Sequence, residues 1–225
     1  MRPFVFINMA MSSDGKVSNV DGKQIRISGK EDFERVDELK LSSDAIMVGV
    51  GTILSDDPSL TIKSEERRKK RISDGKDENP VRIVIDSRCR TPPSAEILRR
   101  GDGKRIVATS DRADEEKMRA IERYADVIVA GEDKVNLKEL MDILWKRGIN
   151  KVMVEGGGEL SWGLISSNLV DELYIYVGPK IIGGRNSPTP VAGEGFKEKF
   201  PRLKLIKIEE MDDGVLLGWK FMESM

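Results

Sequence analysis

The sequence predicts an α/β fold built on a mostly parallel sheet. Short apolar runs bounded by turn residues alternate with helical patterns along the 225 residues, and this alternation is typical of a parallel sheet with helices on both faces. After about residue 172 the alternation stops, and two apolar segments flank Asp212, Asp213 and Gly214. This pattern predicts an antiparallel hairpin at the C-terminal end. Because no linker separates two segments, residues 1–225 are predicted to form a single domain.

The strands are predicted from apolar runs short enough to cross a buried sheet once. In chain order these runs are Phe4–Ala10, Ala45–Val50, Val81–Ile85, Ile106–Thr109, Val127–Ala130, Val152–Val154 and Leu173–Val177.

The helices are predicted from their end signals. Ser28 followed by Glu31 is a capping box, which predicts a helix from residue 29 to about Lys40. A charged helix is predicted within residues 111–124, and Asn136 predicts the start of an amphipathic helix that ends before Gly148.

Residues 63–79 carry mixed charge and lack apolar periodicity. This composition predicts a solvated excursion between two strands.

Composition excludes several classes of function. Lys and Arg number 38 against 39 Asp and Glu, a net charge of -1, so no overall field attracts nucleic acid or an anionic membrane. The single cysteine, Cys89, permits no intrachain disulfide and suits a reducing cytoplasm. No stretch approaches 18 apolar residues, so no membrane span is predicted. Because histidine is absent, imidazole-based catalysis and the common zinc centres are excluded, and no metal site is predicted.

The first candidate for chemistry is the run Glu155, Gly156, Gly157, Gly158 and Glu159, which lies between a predicted strand and a predicted helix. Glycines let the backbone approach a pyrophosphate, and the amides at the start of the helix meet its negative charge. The alternative is a tight left-handed turn that only joins strand to helix.

The second candidate is the segment GVGTILSDDP, which follows the predicted strand at Ala45–Val50. Thr52 is a hydroxyl donor at a helix start, and Asp56 and Asp57 are closely spaced acceptors at a strand end, where α/β sheets bind ligands. The alternative is a short capped helix that ends at Asp-Pro.

The third candidate is Ser87 with Arg88, directly after the strand VRIVID. A serine and arginines at this position suit the 2′-phosphate of NADPH, whereas an acidic residue would suit the ribose hydroxyl of NADH. The alternative is an ordinary exposed basic loop.

The fourth candidate combines Asn8 on the first strand with Ser12, Asp14 and Lys16 in the polar loop that follows. It groups an amide, a hydroxyl, a carboxylate and an ammonium near one strand end. Read alone, the loop is a turn, and Lys180 in GPKIIGG is either a phosphate donor or a cation at a strand end.

These segments together resemble the riboflavin-biosynthesis reductases. The resemblance rests on INMAMSSDGK, DAIMVGVGTILSDDP, NPVRIVIDSRCR, VMVEGGGELSWGL, VDELYIYVGPKIIGG and GEGF, and it spans nearly the whole chain. It implies a fold like that of dihydrofolate reductase and NADPH-dependent reduction of the ribosylamino side chain of a pyrimidine ribotide, with NADH as the other possible cofactor. It also implies a homodimer, which late apolar strands such as LYIYV could form.

The resemblance implies binding and catalytic roles for the residues of this chain that match the family's motifs. The residues implied to bind the cofactor are Thr52, Asp56, Gly156, Gly157, Gly158 and Glu159. The residues implied to face the substrate are Asn8, Ser12, Asp14, Lys16 and Glu155. Hydride transfer is expected at C1′ of a ring-opened imine, with Asp56 and Asp14 as the stabilising carboxylates.

The sequence departs from the family pattern at two places. Asp37 and Lys40 stand in VDELK where many relatives resemble V-H-x-x-R, and Glu159 stands where a hydroxyl residue is common. Two alternatives to this function stay open: a pterin or dihydrofolate reductase on the same fold, and a nucleotide-sensing or RNA-interacting module without catalysis.

Overall fold

The computed structural model describes residues 1–222, which divide into two compact units. Unit 1 comprises Met1–Phe4 and Asp37–Met153, and unit 2 comprises Val5–Val36 and the chain from Val154 onward. Because both units draw on two separate stretches of chain, neither corresponds to a continuous segment of sequence. The single domain expected over residues 1–225 stays a prediction.

The strands follow the predicted apolar runs, with ends that differ by at most two residues. Their bounds are β1 Phe4–Ser12, β2 Ala45–Gly49, β3 Val81–Ile85, β4 Arg105–Thr109, β5 Asp126–Val129, β6 Lys151–Val154, β7 Glu172–Gly178, β8 Leu203–Met211 and β9 Gly214–Phe221.

The helices lie between these strands. Their bounds are α1 Lys30–Ser42, α2 Val50–Asp56, α3 Glu65–Ser73, α4 Glu96–Arg99, α5 Glu115–Glu122, α6 Leu137–Lys146 and α7 Gly158–Ser166. Within residues 1–222, each helix is too short or too polar to cross a lipid bilayer.

The strands of unit 1 follow the order β5-β4-β3-β2-β6. The pairs of β2 with β3, β3 with β4, and β4 with β5 are all parallel. Their carboxyl ends therefore meet at one edge, the edge at which α/β sheets bind ligands. Ile46, Val48, Val84 and Val107 are almost fully buried in one apolar cluster of this unit, which fixes the strands beneath that edge.

The strands of unit 2 follow the order β1-β7-β9-β8. β1 and β7 are parallel, with Ser12 opposite Gly178, so the loops after both strands leave from the same edge. β7 pairs with β9 and β9 with β8 in antiparallel fashion. The predicted α/β architecture, mostly parallel with a C-terminal antiparallel hairpin, is confirmed.

Residues 63–79 lie between two strands and are mostly exposed, as expected, but they contain the helix α3, which was not predicted. Ser64 caps it by accepting a hydrogen bond from the Arg67 amide at 3.3 Å, and Lys69 pairs with Glu65 at 2.6 Å one turn apart. Arg71 is 3% exposed and donates to the backbone carbonyls of Leu41, Ser43 and Asp77. A buried arginine thus takes the place of the apolar stripe that helix prediction requires.

The start of α1 is held by a residue far away in sequence. Asp212, in the turn between β8 and β9, accepts hydrogen bonds from the amides of Glu31 and Asp32 at 3.0 and 3.1 Å. Glu31 in turn accepts from the Asp212 amide at 3.3 Å. The reciprocal arrangement predicted between Ser28 and Glu31 is therefore made between Asp212 and Glu31.

Candidate functional site

Asp14 joins two loops at the edge of unit 2. Its carboxylate accepts hydrogen bonds from the Ser12 hydroxyl at 2.6 Å and from the amides of Ile182 and Gly183 at 3.0 and 2.7 Å. The hydrogen bond from Ser12 and those from the two amides lower the pKa of Asp14 to about 2. The loop after β1 is thereby held against the loop after β7.

The polar residues around Asp14 extend this connection. The Lys16 amide donates to the Ser12 hydroxyl at 2.9 Å, and the Lys16 ammonium lies 3.4 Å from the carbonyl oxygen of Ser187. The Val17 amide donates to the carbonyl of Pro188 at 3.0 Å. Residues 178–192, which we call the bridging segment, therefore run alongside the loop after β1.

The bridging segment also contacts the glycine run. The Ala192 amide donates to the carbonyl oxygen of Gly158 at 3.1 Å. A Cβ on Gly158 would lie only 2.8 Å from the carbonyl oxygen of Thr189, so a side chain at this position would push the two segments apart. Through this segment, the predicted substrate loop and the predicted phosphate loop meet in one region of unit 2.

The glycine run has the backbone geometry of an anion cradle. Gly156 and Gly157 have φ values of 126° and 85°, which residues with side chains rarely adopt. A Cβ on Gly156 would meet no heavy atom within 4 Å, so this side is open to a ligand. Gly157 is the N-cap of α7, and the first amides of this helix, at its positive end, lack intrahelical acceptors.

The two glutamates that flank the glycines differ in their surroundings. Glu155 follows β6 directly and is half-buried, whereas Glu159 is exposed in the first turn of α7. A carboxylate there suits the helix dipole but repels a phosphate. The contact that Glu159 can offer to a phosphate is therefore its backbone amide.

Asn8 lies within the packing between β1 and α1. It is 7% exposed, and its side-chain oxygen accepts a hydrogen bond from Arg35 at 2.7 Å. Arg35 also pairs with the buried Asp32 at 2.6 Å. Since the oxygen of Asn8 already binds Arg35 within unit 2, the substrate contact predicted for Asn8 depends on its amide nitrogen.

In unit 1, α2 carries Thr52 and Asp56. Thr52 is half-buried in the first turn, and Asp56 is half-buried at the last residue of the helix. Burial raises the pKa of Asp56 above its ordinary value, against a smaller opposite effect of a hydrogen bond with Ser55. Asp57 instead caps α4 by accepting from the Glu96 amide at 2.8 Å. Of the two adjacent aspartates, Asp56 is the one whose surroundings suit proton chemistry.

A buried aspartate organises the loop after β3. Asp86 is 0% exposed and accepts from the amide and hydroxyl of Thr91 at 2.7 and 2.8 Å. The hydroxyl oxygen of Ser87 accepts from the Val135 amide at 3.0 Å. The guanidinium of the exposed Arg88 donates to the carbonyl of Arg112 at 3.1 Å. This loop thus presents the cation that the sequence predicted, while the oxygen of Ser87 holds the neighbouring loop.

The structure reveals one cluster that sequence reasoning missed. Ser59 and Thr61 are each 8% exposed, their hydroxyl oxygens lie 3.1 Å apart, and the Lys63 ammonium donates to them at 3.1 and 3.3 Å. Two hydroxyls with an ammonium are suited to an anion such as a phosphate. The available signal was the alternation of polar residues in SLTIK, which places all three on one side of an extended chain.

The departure at Asp37 has a structural explanation. Asp37 is 6% exposed and accepts hydrogen bonds from the amides of Lys63 and Ser64 at 2.7 and 2.9 Å. Arg67 pairs with it at 3.2 Å. Asp37 therefore holds the segment that carries the hydroxyl cluster.

Comparison with protein families identifies one match over almost the whole chain. Residues 3–217 match the RibD C-terminal domain. A 2,5-diamino-6-ribosylamino-4(3H)-pyrimidinone 5′-phosphate reductase from Archaeoglobus fulgidus is 51% identical over 98% of this chain and 99% of its own. A protein of the same name from Methanothermobacter thermautotrophicus is 40% identical over 91% of both chains.

Solved structures show the same fold. A pyrimidine reductase-like protein from Corynebacterium diphtheriae has a TM-score of 0.82 at 20% identity, covering 99% of this chain and 93% of its own. A deaminase and reductase from Thermotoga maritima has a TM-score of 0.80 at 24% identity, covering 98% of this chain and 57% of its own.

Proposed function

The chain belongs to the RibD C-terminal domain family, and from this premise we propose that it reduces 2,5-diamino-6-ribosylamino-4(3H)-pyrimidinone 5′-phosphate. The product carries a ribitylamino side chain, as riboflavin biosynthesis requires. The observation that carries the proposal is the 51% identity to a reductase of that name over 98% of the chain. This match spans nearly the full length of the chain, so it includes the candidate segments of both units.

We propose NADPH as the reductant, with NADH as the weaker alternative. Two features support it: a glycine run with an open side before α7, and the exposed Arg88 and Arg90 after β3. The first suits a pyrophosphate and the second a 2′-phosphate. Gly156, Gly157 and Gly158 would hold the pyrophosphate with backbone amides.

When bound, NADPH supplies the hydride that reduces C1′ of the ring-opened imine. That reduction also needs a proton on the nitrogen, and a negative charge beside the cationic imine lowers its energy. Asp56 suits both needs in turn: its raised pKa lets it keep a proton at higher pH than an ordinary aspartate, and once that proton has moved to the imine nitrogen, the carboxylate that remains carries the negative charge. Thr52, in the same helix, would orient the cofactor with its hydroxyl.

We assign Asp14 a positioning role. Its carboxylate accepts from Ser12, Ile182 and Gly183, and a pKa of about 2 keeps it ionised at neutral pH. It would hold Ser12 and Lys16 in place rather than exchange protons with the substrate. A direct contact of Asp14 with the imine remains a prediction.

The 5′-phosphate of the substrate needs a cationic site of its own. We propose that Lys63, with the hydroxyls of Ser59 and Thr61, binds it. The support is a buried pair of hydroxyls joined by an ammonium.

Residence in the cytoplasm, inferred from the single cysteine, stays a prediction.

The reaction is tested by locating the transferred hydrogen. The protein is supplied with the ribotide and NADPH deuterated at C4 of the nicotinamide, and the product is analysed by NMR. Deuterium at C1′ is expected, and deuterium elsewhere would reject the chemistry. Turnover of dihydrofolate in place of the ribotide would favour the pterin-reductase alternative, and binding without turnover of either would favour the non-catalytic one.

The cofactor assignment is tested by binding titrations of Arg88→Ala with both nicotinamide cofactors. We expect the affinity for NADPH to fall about tenfold, because one charge-assisted contact to the 2′-phosphate is lost, while the affinity for NADH stays unchanged. Arg119→Ala is the matched control, since Arg119 is an exposed arginine of α5 that pairs with Glu115. Equal losses for both cofactors would contradict the role of Arg88.

A further inference from the structure

The chain between β7 and β8 is long and lacks regular secondary structure. Residues 179–202 contain neither helix nor strand. Loops longer than about 15 residues without such structure are uncommon in compact domains, and those that are ordered are usually functional. This loop makes close contacts with two other parts of unit 2: the bridging segment meets the loop after β1, and the residues that follow it meet α7.

The bridging segment lies against the first turn of α7. The carbonyl oxygen of Gly158 accepts a hydrogen bond from the Ala192 amide at 3.1 Å, and a Cβ on Gly158 would lie 2.8 Å from the carbonyl oxygen of Thr189. Trp162 follows Gly158 by four residues in the same helix, so both lie on one side of α7. The side of α7 that continues from the glycine run therefore faces this loop.

The indole of Trp162 is the contact surface for residues 193–196. Gly193 lies so close to it that a Cβ at this position would overlap the ring, and the φ of Gly193, 85°, is in the left-handed region that favours glycine. The ring of Phe196 packs on the same indole, with 4.6 Å between the ring centroids and 58° between the planes. Backbone and an aromatic side chain of the loop thus pack on one side chain of α7.

This contact anchors an otherwise exposed part of the loop. Among residues 193–200 only Phe196 is half-buried, and the others are exposed. Aromatic rings bury more apolar area than most side chains, and apolar burial is the contribution that a loop without helix or strand pairing can use. Removing the indole of Trp162 would therefore release residues 193–196 from α7.

We propose that Trp162 is a positioning residue of the cofactor site, an inference that rests on the proposed function. Its indole holds residues 193–196 against α7, and the adjoining Ala192 amide then fixes the carbonyl of Gly158 at the end of the glycine run. Backbone amides bind a pyrophosphate well only when they converge on it. A shift of the segment that supports them weakens the binding of NADPH.

The opposite end of the bridging segment is held independently of Trp162. The carboxylate of Asp14 accepts from the Gly183 amide at 2.7 Å, and the Val17 amide donates to the carbonyl of Pro188 at 3.0 Å. Loss of the indole should leave these hydrogen bonds in place. The effect of Trp162 is therefore assigned to the binding of the cofactor rather than to that of the ribotide.

The test is the dissociation constant for NADPH, measured by titration of the whole chain. We expect Trp162→Ala to raise it about tenfold, because the glycine run loses its support. Trp162→Phe should raise it less than about threefold, because a ring still contacts the loop. The KM for the ribotide should stay within about twofold in both variants. Trp145→Ala is the matched control, since Trp145 is a half-buried tryptophan of α6 in unit 1, and it should leave the dissociation constant unchanged.

A second variant changes the same contact from the side of the loop. Gly193→Ala places a methyl group where the indole lies, so it should also raise the dissociation constant for NADPH about tenfold. Added to Trp162→Ala, it should change the constant by less than about twofold, because the space of the indole is then free. Gly195→Ala is its matched control, since Gly195 also has a positive φ, 76°, but a Cβ there would meet no heavy atom within 4 Å.

Each outcome decides the proposal. An unchanged dissociation constant in Trp162→Ala, an equal rise in Trp145→Ala, or additive effects of Trp162→Ala and Gly193→Ala would overturn the role of Trp162 while leaving the proposed function intact. A wild-type chain that does not bind NADPH would overturn both. If circular dichroism shows that Trp162→Ala is unfolded, the comparison of Gly193→Ala with Gly195→Ala decides, and equal constants in these two variants would overturn the proposal.

Discussion

The loop after β1 and the loop after β3 are each organised by one aspartate, but in opposite ways. Asp86 is fully buried and binds Thr91 within its own loop. Asp14 is exposed, and two of its three hydrogen bonds come from Ile182 and Gly183, across more than 160 residues of sequence.

This difference implies different roles for the two aspartates, one in the stability of the fold and one in the placement of two loops. A buried carboxylate with buried donors contributes mainly to the free energy of unfolding, because its loss leaves those donors unsatisfied. An exposed carboxylate that joins two loops contributes mainly to their relative placement, because water can replace it as an acceptor. We therefore expect loss of Asp86 to lower mainly the free energy of unfolding, and loss of Asp14 to lower mainly the catalytic activity.

The largest effect is expected from Asp86→Ala. It leaves the amide and the hydroxyl of Thr91 buried without an acceptor, which should lower the free energy of unfolding by about 3 kcal/mol. Chemical denaturation measures this loss. The control is Asp133→Ala, which removes an exposed ion pair with Arg112 and should cost less than about 1 kcal/mol. Equal losses in the two variants would show that burial of a carboxylate does not decide its contribution to the free energy of unfolding.

Asp14→Asn should lower kcat/KM about tenfold, because the loop that carries Ser12 and Lys16 loses its fixed position. Steady-state kinetics measure the change, and denaturation should show a smaller loss of stability than in Asp86→Ala. Asp21→Asn is the control, since Asp21 is an exposed aspartate further along the same loop. A variant that unfolds as readily as Asp86→Ala would show that Asp14 is a folding residue instead.

The smallest effect is expected at acid pH, where the carboxylate of Asp14 becomes protonated. The folded-state pKa of Asp14 is lowered from 3.8 to about 2, so its contribution is fully present above pH 3.8 and is lost as the pH falls through about 2. The amide resonances of Ile182 and Gly183, followed by NMR, should titrate with a midpoint near 2. A midpoint near 3.8 would mean that these amides do not stabilise the charged carboxylate.

Local patterns were sufficient for most of the fold. The runs Val81–Ile85 and Leu173–Val177 are apolar enough to specify buried strands, and Asn136 caps α6 as expected, accepting from the Glu139 amide. Side-chain periodicity and caps act within a few residues, so one sequence contains them. Local patterns did not predict the helix α3, because a buried arginine, Arg71, holds it to distant carbonyls.

The candidate site was predictable only in part. The glycine run could be recognised because three glycines between strand and helix need special backbone geometry, which is a local property. The bridging segment could not be recognised as its partner, because the contacts of Asp14 with Gly183 and of Gly158 with Ala192 join loops far apart in sequence. The alternation of Ser59, Thr61 and Lys63 was visible in the sequence, but the hydrogen bonds from the Lys63 and Ser64 amides to the distant Asp37, which hold this segment, were not.

Local sequence is enough to specify the strands, most helices and the residue types that can carry the chemistry, because propensity, burial pattern and backbone strain act over a few neighbours. Which carboxylates hold loops, and which one is left for proton chemistry, is settled only when the chain has folded. These outcomes depend on hydrogen bonds and packing between distant segments, such as Asp212 at the start of α1, and on the burial that only the folded chain creates.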